Sequence, residues 1–188
     1  MWLNPFGRRR DAHALAVSMA GIKLGDRLLQ IGCPDGGRLA ALAAKVGLTG
    51  RAGALAETPQ AAEAASRAAL KAGVLVECQP GTPGALPYDE NSFDVVVIDD
   101  TGGILTHLSA LARGTCVAEV RRVLRAGGRV VIVGGTARRG LGSVMGAHAV
   151  RHDPAATTTL LQNGGFRAPR TLAARDGLVF LEAMKPRN

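Results

Sequence analysis

The chain has 188 residues, 47% of them hydrophobic, and a formal charge of +8. That is enough apolar mass for one self-supporting core, so a disordered chain is excluded and a single globular unit is predicted. No apolar run approaches the ~18 residues of a membrane span, and six aromatic residues leave little for base stacking, which argues against a transmembrane protein and against a nucleic-acid reader.

The excess charge is arginine, 19 against 4 lysines, and seven arginines with no acid lie between Val120 and His152. We read that run as a solvated surface, with attraction to an anionic partner as the functional alternative. Cys33, Cys78 and Cys116 are widely spaced and form no paired motif, which fits a reducing cytoplasm. At the amino end Trp2, Leu3 and Phe6 precede Arg8–Arg10, the reverse of a signal peptide. Residues 1–20 are expected to form a tail or helix docked on a domain of residues 21–188, with peripheral contact to an anionic membrane as the alternative use of this segment.

In chain order, Arg27–Gly32 reads as a strand and Gly37–Val46 as the helix after it. Arg51–Ala56 is a weaker strand, and the alanine-rich Gln60–Lys71 is a helix with Gly73 as its cap. Val74–Cys78 follows as a strand, then a Pro/Gly loop over Pro80–Pro87. Phe93–Ile98 is apolar almost throughout, as a strand buried on both faces should be. Ile104–Leu124 reads as mostly helical with Gly114 as a weak point, and Gly127-Gly128 turns the chain into a strand over Arg129–Val133. After an irregular basic stretch come a helix over Ala155–Gln162 and two strands, Pro169–Ala174 and Leu178–Met184, about the turn Asp176-Gly177. Strands alternating with helices, closed by an antiparallel pair, predict a three-layer, doubly wound, Rossmann-like sheet of seven strands, mostly parallel with one antiparallel strand near the carboxyl-terminal edge.

A ligand in such a sheet lies at the carboxyl ends of the strands, and the run Leu28-Leu-Gln-Ile-Gly-Cys-Pro-Asp-Gly-Gly37 delivers a glycine turn to a helix there. It lacks the G-x-G-x-x-G spacing of a nicotinamide site. Asp99 and Asp100 follow the fourth strand at the same edge, and His107 lies seven residues on, with an imidazole suited to act as a base. His148 and His152 are four apart beside Asp153, but the glycines around them speak against a helical metal site, and no metal is expected.

Three segments carry a family resemblance: Gly25-Asp-Arg-Leu-Leu-Gln-Ile-Gly-Cys33, Ala85-Leu-Pro-Tyr-Asp-Glu-Asn-Ser-Phe-Asp-Val-Val-Val97, and Glu119-Val-Arg-Arg-Val-Leu-Arg-Ala-Gly-Gly-Arg-Val-Val131. Together they resemble the class I S-adenosylmethionine-dependent methyltransferases, in particular the branch that includes the ubiquinone and menaquinone biosynthesis enzymes. The resemblance implies S-adenosylmethionine as cofactor and a small or lipid-like methyl acceptor as partner. It places the cofactor across Gln30, Gly32, Cys33, Pro34, Gly36, Glu57, Thr82 and Asp99, with Asp100 and His107 as the catalytic candidates. Four positions depart from the family pattern. Gln30 stands where an acid is usual, Pro34 replaces a loop glycine, Ala56 with Glu57 beside it stands for the ribose-binding acid, and Thr82 stands for the acid at the adenine. Each lost charged hydrogen bond would cost about 1.5–3 kcal/mol of binding. The alternative reading is therefore a methyltransferase-like scaffold or assembly subunit that has given up the cofactor and binds a protein partner.

Overall fold

The computed structural model describes residues 7–136 and 151–187. Helix α1 (Gly7–Ala20) precedes the strands β1 (Arg27–Ile31), β2 (Arg51–Ala56), β3 (Glu77–Pro80), β4 (Phe93–Asp99), β5 (Leu124–Gly135), β6 (Arg167–Arg175) and β7 (Leu178–Met184). Helices α2 (Gly36–Ala43), α3 (Pro59–Lys71), α4 (Ala110–Val123) and α5 (Pro154–Asn163) lie between them. The seven strands form one sheet in the order β3-β2-β1-β4-β5-β7-β6. Neighbours are parallel from β3 to β5, and β7 runs antiparallel to both β5 and β6. The predicted architecture, with one antiparallel strand near the edge, is the observed one.

Alternation in the strands sorts the core into two layers. Leu28, Val95, Val97, Val131 and Val133 pack under α1 and α2 with Leu15, Ala16 and Leu42. Leu29, Ile31, Val96, Ile98, Val130 and Ile132 pack under α4 and α5 with Val117, Val120 and Leu161. The amino-terminal segment thus docks as a helix, burying Leu15, Ala16 and Ala20; its first residues, including Trp2, Leu3 and Phe6, lie outside the described ones.

Three expectations shift. The third strand is Glu77–Pro80 rather than Val74–Cys78, because Gly73 (φ 74°) reverses the chain, the Val74 amide is spent on the Ala69 carbonyl, and pairing begins only where Glu77 meets Gly53. The helix expected from Ile104 starts at Ala110, since the Asp100 carboxylate takes the amides of Leu105 and Thr106 and Ser109 caps Ala112. Gly114 sits inside that helix without breaking it. Finally, Gly127 does not precede the fifth strand but lies within it. Pairing with β4 jumps from Phe93–Leu124 to Val95–Arg129 around its φ of 73°. The final hairpin turns on Asp176 and Gly177 with φ of 57° and 79°, the two positive values a type I′ turn requires.

Candidate functional site

β1 ends at Gly32, whose φ of 82° aims the loop across the sheet edge. A Cβ there would stand 2.8 Å from the Asp99 carbonyl oxygen and 2.9 Å from Ile104 Cγ2, so only glycine fits. Asp35 then caps α2, accepting from the amides of Gly37 at 3.0 Å and Arg38 at 3.2 Å, while its second oxygen lies 3.2 Å from His13 Nε2 on α1. These bonds outweigh the burial of Asp35 and hold its carboxyl below the usual range. Gly36 meets a different demand: a Cβ would lie 2.5 Å from Ala68 Cβ, so its absence lets α2 close on α3. Pro34 packs against the loop after β4, where a Cβ added to Gly102 would stand 3.1 Å from Pro34 Cβ.

Beneath this loop lie three buried polar side chains. Gln30 donates through Nε2 to the Gly32 carbonyl at 2.9 Å, and its Oε1 is buried with no hydrogen-bond partner among the described residues. Arg38, from the first turn of α2, reaches Asp99 Oδ2 with NH1 at 2.5 Å and Thr101 Oγ1 at 3.2 Å. Asp99 also accepts from the Thr101 amide at 3.2 Å and from the Thr101 hydroxyl at 2.6 Å. Burial pushes the Asp99 carboxyl above its ordinary range, an effect that Arg38 and Thr101 oppose without cancelling.

Asp100 faces the other layer and is completely buried. Its Oδ1 accepts from the amides of Leu105 at 2.7 Å and Thr106 at 2.9 Å, and its Oδ2 from the Thr106 hydroxyl at 2.5 Å. His152 Nδ1 sits 2.7 Å from the same Oδ2, and its Nε2 lies 2.9 Å from Thr157 Oγ1 on α5. Burial alone would raise the Asp100 carboxyl, but the hydrogen bonds from His152, Thr106 and Leu105 bring it below the usual range. The His152 ring lies over Gly134, where a Cβ would come within 2.4 Å of it. His148 falls outside the described residues, and His152 is held by Asp100 and Thr157.

The remaining candidates line the rim. His107 is exposed, with its ring over Gly103. Glu57 is exposed one residue past β2, and its carboxylate has no partner among the described residues. Thr82 is exposed beside a groove of about 340 Å³ that it lines with Pro83, Gly84, Leu108 and Leu111. Cys33 is partly buried with Sγ 3.8 Å from the Leu55 carbonyl; burial, with Cys78 and Asp99 nearby, pushes its thiol up to about 12. It is an inert thiol at neutral pH.

Sequence reasoning misses Arg38 altogether, and it weighs His152 only as a doubtful metal ligand rather than as the partner of Asp100. An arginine in a helix's first turn carries no mark of burial, and His152 meets Asp100 from 52 positions away.

Glycine turn, capped helix and the antiparallel β7 between two strands of otherwise common direction define a methyltransferase-type sheet. The chain belongs to the Methyltransferase domain family, whose sequence profile matches residues 29–132. It is 34% identical over 136 residues to the chloroplastic 2-phytyl-1,4-beta-naphthoquinone methyltransferase of Arabidopsis thaliana, an alignment that takes in 70% of this chain and 50% of that protein. The chain therefore spans about half the length of that curated relative. A SAM-dependent methyltransferase from Aquifex aeolicus shares the fold with a TM-score of 0.76 and 19% identity, covering 92% of this chain and 88% of that one. The [4+2]-cyclase SpnF shares it with a TM-score of 0.72 and 16% identity, over 95% of this chain and 81% of that one. S-adenosylmethionine is the cofactor that this family implies.

Proposed function

We propose that the chain is an S-adenosylmethionine-dependent methyltransferase acting on a small, apolar, quinone-like acceptor. The observation that carries the reading is Glu57, a carboxylate without a partner among the described residues, standing at the carboxyl edge beside the Gly32 turn. The residues fit the cofactor's chemistry. Glu57 would take the ribose hydroxyls and Thr82 would accept from the adenine amino group. The unpartnered Gln30 Oε1 is an acceptor left over beneath the loop that would cradle the methionine part. When bound, the cofactor supplies an electrophilic methyl group.

His107 would take the proton the acceptor loses. Asp100 is assigned a positioning role, because both its oxygens are engaged: it anchors the Leu105–Thr106 turn that carries His107. The groove beside Thr82, with Leu108 and Leu111 in its wall, suits an apolar acceptor, and the Arabidopsis relative's naphthoquinone substrate supports that class. The cytoplasm is the proposed compartment, from three free cysteines; among the described residues no helix is long and apolar enough to cross a membrane.

One observation favours the second reading, a scaffold without the cofactor. Pro34 touches Gly102, so the loops after β1 and β4 meet where the methionine part would lie. The same fold in a cyclase shows that the architecture does not by itself dictate methyl transfer. Calorimetric titration with S-adenosylmethionine and S-adenosylhomocysteine separates the two. Micromolar binding of both supports the enzyme, and no heat up to millimolar ligand supports the scaffold.

A further inference from the structure

Four of the five large hydrophobic side chains that stand exposed on the described surface, Leu24, Leu48, Leu70 and Leu75, gather at one end of the molecule, 67% to 105% exposed. Leu24 lies in the loop before β1, Leu48 in the loop before β2, and Leu70 and Leu75 flank the turn from α3 into β3. All three connections lie at the amino ends of parallel strands, the end opposite the glycine turn. Leu24 also lies against Gly47, one residue before Leu48, since a Cβ there would meet Leu24 Cδ1 at 2.4 Å.

The chain's four lysines stand at this same end. Lys23 adjoins Leu24, Lys45 precedes Leu48 by three residues, Lys71 follows Leu70, and Lys185 follows β7. Most acids here are engaged: Asp94 is taken by Arg27 and Arg125, Glu77 by Arg51, and Asp26 by the Lys23 amide, while Asp89 and Glu90 stand exposed in the loop before β4. Lys23, Lys45 and Lys71 have no carboxylate partner among the described residues. On the other half of the same end, Arg121, Lys185 and Arg187 line a cavity of about 420 Å³ with Glu90 as its one carboxylate. Burial and Arg121 hold the Lys185 ammonium below its ordinary range, with Glu90 opposing them.

We propose that this end of the sheet is a docking face for an anionic lipid surface. The leucines protrude from separate loops rather than line a hollow, so they suit a fluid that closes around each of them. The lysines beside them would lie in the headgroup plane, and the Arg121–Lys185–Arg187 cavity would receive a headgroup phosphate. A second copy of the chain would bring like charges together, and a nucleic acid would have no use for the leucines. Docked this way, the protein holds its carboxyl-edge cleft toward water.

The test is cosedimentation of the full chain with vesicles of phosphatidylcholine alone and of phosphatidylcholine mixed with phosphatidylglycerol. The expected result is partition onto the mixed vesicles only, weakened by salt. Leu24→Ser/Leu48→Ser should lower that partition by about tenfold or more. The leucines are exposed, so thermal unfolding of the variants should match the parent. Absence of partition onto either vesicle overturns the proposal. So does partition that the leucine pair does not affect, or that inorganic phosphate alone abolishes, since either would assign the cations to a free anion or another polyanion.

Discussion

Replacing Arg38 by methionine probes the buried pair on which the loop after β1 rests. The Arg38 side chain is 9% exposed and Asp99 not at all, with 2.5 Å between NH1 and Oδ2. Removing one member of such a pair leaves a buried charge with only Thr101 to solvate it, a loss of about 3–5 kcal/mol. With a urea m-value of ~2 kcal/mol/M, the unfolding midpoint should fall by ~2 M. The loss should also depend on pH. Burial already pushes the Asp99 carboxyl up, and without the guanidinium it rises further. The folded variant then keeps a proton that the unfolded chain releases above about pH 4, so stability falls as pH rises from there through the raised folded value. The deficit should be smaller at pH 5 than at pH 7.5. Arg38→Met/Asp99→Asn removes both charges while Asn can still accept from Thr101, and it should recover most of the loss. A single-variant loss below about 1 kcal/mol, or a double variant as unstable as the sum of the singles, would refute the reasoning.

Glu57→Gln should weaken S-adenosylmethionine binding by about 10- to 100-fold with an unchanged melting temperature, read by calorimetry; unaltered affinity would remove Glu57 from the ribose site. Gly36→Ala should cost about 1–3 kcal/mol by forcing its Cβ into Ala68, and Ala68→Gly should restore the melting temperature. Loss of cofactor binding in a Gly36 variant would therefore reflect helix packing and says nothing of catalysis. Asp100 has a depressed folded value, so its stabilisation is complete above the unfolded carboxyl range near pH 4 and is lost as pH falls through the folded value. Asp100→Asn should lower the melting temperature at pH 7 and flatten its decline below about pH 4, followed by circular dichroism.

The strands β1, β2 and β4 and the final hairpin were legible because a buried parallel strand must be apolar on both faces and a two-residue turn needs two positive φ values. The strand ends themselves were legible too, with Gly32 just past β1 and Asp99-Asp100 closing β4 at the same edge. Local pattern fails where a side chain chooses a partner far along the chain. The helix expected at Ile104 yields to the Asp100 carboxylate four residues back, which takes the Leu105 and Thr106 amides the helix needed. Periodicity records whether a position is buried, and it holds nothing about which charge will neutralise a buried acid. Arg38 finds Asp99 across 61 residues and His152 finds Asp100 across 52, because sheet order sets α2 and the start of α5 against the end of β4. Likewise, that leucines and lysines occupy separate turns is plain from the order of residues alone. Only parallel strand order, which brings those turns to one end of the sheet, decided that they make a common face.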